Sequence, residues 1–206
     1  MKAVKIVCSL LVLLFSLSIP AFGAEPTDSL SKNIDEFISV LKSETATVKK
    51  TDEIWAIIEK MFIFDAVARL SVGQYWDKFS EPQKTEITKY FTKLLGNSYL
   101  KKIRDGYTNE TVKFLDQQIR GDNKAVVITR IVREGGQIPV DYSMLKIGGA
   151  WRIYDVKIEG VSLVSNYRSQ FNEVLVNRPP DDLIEKVKKK VEQQASGAAA
   201  ADDDKI

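Results

Sequence analysis

Asp141 and Tyr142 are neighbours in a run of alternating character, and Tyr154 lies on the next such run. A tyrosine with a carboxylate in an apolar cavity can transfer protons, the chemistry of small isomerase-like α+β enzymes. The same residues also suit an ordinary cross-strand pair, and nothing in their spacing selects the catalytic use. Other reactive groups are scarce. The 206 residues include no histidine and one cysteine, Cys8. That composition excludes a Ser-His-Asp triad and an ordinary His/Cys zinc site.

The charged candidates are equally double-edged. Arg69 lies in the largely apolar run 64–72. It could meet a phosphate, but a buried cation needs a partner, so an ion pair with Asp65, Asp141 or Asp155 is the expected role. Asn166 and Arg168 could contact a polar headgroup at a rim, or simply face water. Lys186, Lys188, Lys189 and Lys190 could touch anionic lipid, but four lysines near a terminus usually form a solvated face.

The first 23 residues, MKAVKIVCSLLVLLFSLSIPAFG, carry Lys2 and Lys5, an apolar run from Ile6 to Ile19, the breaker Pro20 and the small residues Ala21 and Gly23. This is the pattern of a secretory signal peptide, cleaved after Gly23. The apolar run is shorter than the ~20 residues a membrane span needs. Cleavage would remove Cys8 and two lysines but no acid, leaving 28 basic and 28 acidic residues. A formally neutral exported chain gives no reason to expect nucleic-acid binding, and without cysteine it must be held by its core alone.

The elements that would position these residues divide into a helical and a stranded half. Leu30, Ile34, Phe37, Ile38 and Leu41 recur at helical spacing within 28–43, and a second helix opening at Thr51 is apolar on nearly all faces. A short helix should end near Gly73. Ser80 and Gln83 form a capping box around Pro82, opening a helix to about Arg104. From Thr108 the period becomes two. Four alternating runs separated by Gly121-Asp122-Asn123, Gly135-Gly136 and Gly148-Gly149 predict an antiparallel meander. On the fourth strand Arg152, Tyr154, Val156 and Ile158 should share one face, with Trp151 and Ile153 opposite. Gly160 permits a bend into a last helix bearing Val161, Val164, Tyr167, Arg168 and Phe171. A further helix could carry Leu183, Val187 and Val191, and the Ala-rich end reads as a disordered low-complexity tail. The expected organisation is signal peptide 1–23, one domain 24–192, and tail 193–206.

Three stretches carry a resemblance: FDAVARLSVGQYW (64–76), SEPQKTEITKYFTKLLGNSY (80–99) and VDYSMLKIGGAWRIYDVKIEGVSLVSNYRSQF (140–171). Together they resemble the MlaC family, the toluene-tolerance type of periplasmic phospholipid-binding protein, over about residues 30–192. The resemblance implies an α+β fold, with a four-stranded antiparallel meander curved around a cavity and covered by N-terminal helices and one C-terminal helix. It also implies a monomeric periplasmic carrier that takes phospholipid between an outer-membrane lipoprotein complex and an inner-membrane ABC transporter complex, with no cofactor, no metal and no catalysis.

The physics of such a carrier fits the composition. Each CH₂ removed from water is worth about 0.8 kcal/mol, so two chains of ~16 carbons require a dry pocket that offsets more than ~20 kcal/mol. Apolar side chains with few polar anchors can build one. The expected lipid-binding residues are Leu94, Tyr99, Tyr142, Met144, Tyr154, Val156, Ile158, Val161, Val164 and Tyr167, with Asn166 and Arg168 at the headgroup rim. For any single aromatic among them, ordinary core packing is the commoner role.

Overall fold

The computed structural model describes residues 25–43 and 47–196. The expected signal peptide and the residues from 197 onward lie outside them. Helices α1 (Pro26–Lys42), α2 (Thr47–Met61) and α3 (Phe64–Val72) are followed by a 3-10 segment, Gly73–Lys78, and by the long α4 (Glu81–Gly106). Strands β1 (Thr111–Arg120), β2 (Lys124–Arg133), β3 (Gly136–Ile147), β4 (Ala150–Ile158) and β5 (Val161–Ser162) come next, then α5 (Leu163–Leu175) and α6 (Pro180–Ala195). The sheet is an antiparallel meander in the order β1-β2-β3-β4-β5. It has five strands where the alternating pattern shows four, because a two-residue strand is too short to display a period. No described helix is long and apolar enough to cross a membrane.

Local chemistry explains most boundaries. The Ser80 hydroxyl accepts from the Gln83 backbone N–H while the Gln83 amide oxygen accepts from Ser80 N–H, at 3.4 and 2.9 Å, closing the capping box that starts α4. Asp155 starts α5 from the neighbouring strand. Its carboxylate accepts from Ser162 Oγ at 2.7 Å and from the Val164 backbone N–H at 3.0 Å, satisfying an orphan donor of the first turn. Gly160, at φ 86°, makes the tight reversal between β4 and β5. Gly96 in mid-α4 leaves room for the Trp55 ring of α2, whose edge would lie 2.9 Å from any added Cβ.

Two apolar cores result. The first lies among α3, α4, α5 and α6, centred on Phe91, Tyr167 and Phe171. The second lies between the inner face of the sheet and α1 with α2, and includes Leu30, Ile34, Ile57, Met61, Val127, Val140, Met144, Trp151 and Ile153. They meet at the α2–α3 junction. There the Ile63 N–H donates to the Ile153 carbonyl at 2.9 Å, and Phe62 stacks on Phe64 and Phe64 on Trp55, each at 5.6 Å.

The C-terminal covering consists of two helices, of which α6 buries Leu183, Ile184 and Val187 against the first core. It is the further helix that the spacing of Leu183, Val187 and Val191 allowed, and it continues to Ala195. The second helix of the chain begins at Thr47, four residues before the expected Thr51.

Candidate functional site

Register decides which side chains the sheet presents to the helices. Val112, Phe114, Gln117 and Ile119 of β1 lie opposite Ile131, Thr129, Val127 and Ala125 of β2, and the β2 residues lie in turn opposite Ile138, Val140, Tyr142 and Met144 of β3. Directly opposed residues share a face, so these form the inner face. Two β-bulges bend the sheet. Leu115 is the extra residue on β1, and Tyr154 is the extra residue on β4, where Ser143 pairs with Asp155 but Met144 pairs with Ile153.

The second bulge corrects the expected face of β4. Past Tyr154 the phase shifts by one residue, so Val156 and Ile158 join Trp151 and Ile153 on the inner face, opposite Tyr142 and Val140. Arg152 stays on the outer face. Simple alternation could not anticipate this, because an inserted residue leaves no mark on composition.

Burial along the inner face is graded. Ala125, Val127, Thr129, Val140, Met144, Trp151 and Ile153 are buried. Toward the β2–β3 turn the same face becomes half-buried, at Val112, Phe114, Ile131 and Ile138, with Tyr142 further along β3. These residues pack around the second core together with Phe37, Ile38 and Val40 of α1 and Phe62 after α2. The arrangement is a row of half-buried apolar side chains between α1 and one end of the inner sheet face. Thr129, a fully buried polar residue of the same face, is satisfied internally by donating to the Val140 carbonyl at 2.8 Å.

Tyr142 combines two properties. It keeps solvent-accessible surface, yet burial pushes its phenol from the ordinary 10 up to about 12. Its opposed neighbours, Val127 and Val156, are apolar. The proton linkage gives a testable sign. Between pH ~10 and ~12 the unfolded chain has released this proton and the folded one has not, so stability falls as pH rises through that window, by about 2–3 kcal/mol, and is unaffected below it. Urea midpoints from pH 9 to 12 should therefore decline more steeply for wild type than for Tyr142→Phe. Equal slopes would mean that the phenol is solvated.

The other expected site residues fall in three places. Met144 and Val156 are buried in the same core as Tyr142. Leu94, Val164 and Tyr167 are buried in the helical core, with Tyr99 against it. Ile158 and Val161 are 40% and 63% exposed, beside the β4–β5 turn. Asn166 is half-buried on α5, and Arg168 is committed through its Nε, which donates to the Leu70 carbonyl at 2.7 Å and ties α5 to α3. The expected set is thus divided between the two cores. Phe37, Ile38, Val40, Phe62, Val112, Phe114, Ile131 and Ile138 are not among the expected lipid-binding residues. Their signal was the alternation itself on β1, β2 and β3, read together with the α1 stripe.

Two chemical expectations are corrected. Asp141 and Tyr142 are consecutive on β3 and so point to opposite faces. Asp141 lies opposite Lys157 on the outer side, so it and Tyr142 do not form a proton-transfer pair. Arg69 is exposed on α3, and among the described residues it has no ion pair; water solvates it where a partner was expected. The C-terminal lysines are likewise dispersed, with Lys188 over the Tyr90 ring at 5.3 Å. Lys186 and Lys189 share a polar groove between α5 and α6 with Glu173, Asp182 and Glu185. That groove is charged, and it lies on the helical half away from the apolar row on the sheet.

Comparison with known proteins gives a consistent set of likenesses. The family model described as MlaC protein matches residues 31–189. The intermembrane phospholipid transport system binding protein MlaC of Haemophilus influenzae is 25% identical over 123 residues, 57% of either chain. The toluene tolerance protein ttg2D of Pseudomonas putida is 24% identical over 118 residues, 57% of this chain and 51% of its own. The matches span a little over half the length of these curated relatives. Among solved structures, a phospholipid-binding protein from Ralstonia solanacearum, determined in complex with a phospholipid, superposes with a TM-score of 0.77 at 21% identity, covering 84% of this chain and 99% of its own.

Proposed function

Given that the chain belongs to the MlaC family, we propose that it is a periplasmic phospholipid carrier whose apolar row between α1 and the inner sheet face holds acyl chains. The observation that carries this reading is the graded inner face, where a contiguous apolar row on β1, β2 and β3 stays half-buried beside a fully buried core. Such a row exposes apolar surface that a chain of CH₂ groups would cover, at about 0.8 kcal/mol each. The phospholipid bound by the Ralstonia protein of the same fold supports the choice of ligand. The name of the Haemophilus relative, an intermembrane phospholipid transport system binding protein, supports a role in moving lipid between membranes. The partners in this reading are an inner-membrane ABC transporter complex and an outer-membrane lipoprotein complex, as the family resemblance implies.

Native mass spectrometry of the protein without residues 1–23, followed by organic extraction, tests the reading. Glycerophospholipid should co-purify at a fixed stoichiometry and leave on denaturation. A ligand-free mass that persists after incubation with phospholipid vesicles would overturn it.

A further inference from the structure

We infer that the outer face of the sheet docks on a bilayer surface containing anionic phospholipid, with basic side chains meeting the headgroups and an apolar strip meeting the interface. The inference goes beyond the carrier reading and does not depend on it, because the row proposed to hold acyl chains lies on the opposite face of the sheet.

Two properties of the outer face lead there. The first is apolar surface that the fold leaves unused. Register places Val126 and Ile128 of β2 and Leu145 and Ile147 of β3 on this face. The first three are half-buried and Ile147 is 48% exposed, yet none of them belongs to either core or packs against one. The second property is charge. Lys113, Arg120, Lys124, Arg130, Arg152 and Lys157 occupy the same face. Among the described residues none of the six forms an ion pair. Arg130 donates to the Thr129 carbonyl at 2.9 Å and Arg120 to the Gln118 amide oxygen at 3.3 Å, which leaves both charges unneutralised. The acids of this face are Asp116, Asp141 and Asp155, and Asp155 is committed to the start of α5. A chain with 28 basic and 28 acidic residues after Gly23 thus carries a local excess of positive charge here.

The arrangement selects the partner. Arg120, Lys124 and Arg152 lie in one cross-strand row with Leu145, and Lys113 and Arg130 lie in another. Six residues of β2 separate Lys124 from Arg130, roughly 20 Å of strand. A single small anion cannot bridge the two rows. A polyanion such as nucleic acid would match the charge but leave the apolar strip without a role. An anionic bilayer serves both properties. Its headgroups move laterally to meet both rows, the long basic side chains lie over apolar surface while their charges reach the phosphates, and the strip enters the interface.

The experiment is co-sedimentation with vesicles of phosphatidylglycerol and phosphatidylcholine in equal parts, or of phosphatidylcholine alone, at about 0.1 M salt, where the Debye length is ~10 Å. Wild type should bind the anionic vesicles at least tenfold more tightly, since each basic side chain at such a surface is worth about fivefold. Lys124→Glu with Arg152→Glu should lower that binding tenfold or more. Lys186→Glu with Lys189→Glu on α6 changes the net charge equally but away from the sheet, so screening should hold its effect within about threefold. Equal affinity of wild type for the two vesicles overturns the inference, and so does an equal loss in the two double variants. Binding to neither vesicle also overturns it and gives the face to an acidic protein partner. Protein is read in the vesicle pellet, whereas lipid captured by free protein stays in the supernatant, so the carrier reading is scored separately. The wild-type comparison needs no variant and decides the matter even if a substitution disturbs folding.

Discussion

Ile138→Asp should purify as a folded protein carrying at least tenfold less phospholipid than wild type. Ile138 sits on the inner face at the start of β3, opposite Ile131, and is half-buried. In the ligand-free protein an aspartate there can keep much of its hydration, so the expected cost in stability is within about 1 kcal/mol. Acyl chains laid over the row would strip that water, and an isolated carboxylate in an apolar setting costs several kcal/mol. Each 1.4 kcal/mol is a factor of ten. Circular dichroism and a urea midpoint close to wild type, with extracted lipid reduced tenfold or more, are the expected pair of results. Wild-type lipid content in a folded variant would place the chains elsewhere.

The choice of residue shows what the sequence could and could not convey. From pattern alone Val156 and Val164 look like equivalent wall positions, and a charge at either would seem a fair test. In the structure Val156 is buried next to Tyr142 and Val164 is buried in the helical core. A charge at either would attack the fold as well as the site. Ile138 was visible as part of an alternating run, yet its partial exposure depends on where α1 stops covering the sheet, which is a tertiary fact.

Much else was legible. The capping box at Ser80 and Gln83, the glycine turns and the period switch near residue 108 are local signals, and the elements they mark are present. The bulges were not, since Leu115 and Tyr154 are ordinary strand residues whose insertion is defined only against a partner strand. One such insertion moved Val156 and Ile158 to the other side of the sheet. The division into two cores was also hidden, because Leu94 on α4 and Met144 on β3 read alike as apolar positions on a wide face. Only the packing of α5 and α6 on α4 separates them.

That division makes the helical core a test of how the molecule folds. Phe91→Ala should lower stability by about 3–5 kcal/mol, the usual cost of removing a fully buried phenylalanine. Phe91 meets the Tyr167 ring edge-on at 4.8 Å and the Phe171 ring at 5.0 Å, and all three side chains are buried. The loss therefore combines cavity formation with two aromatic contacts. Against a total of about 5–15 kcal/mol, it is a large fraction. The damage should not stay in the helical half. The Ile63–Ile153 backbone bond, the Phe62–Phe64–Trp55 stack and the Asp155 cap on α5 all cross between the halves. Urea unfolding followed by far-ultraviolet circular dichroism and tryptophan fluorescence should show one coincident transition, shifted to lower denaturant. Two separated transitions would mean that the sheet with α1 and α2 folds without the helical core. A shift worth less than 1 kcal/mol would mean that the three rings are not packed as described. If the single transition holds, lipid bound per folded molecule should remain at wild-type level, because the apolar row proposed to hold the chains belongs to the other core.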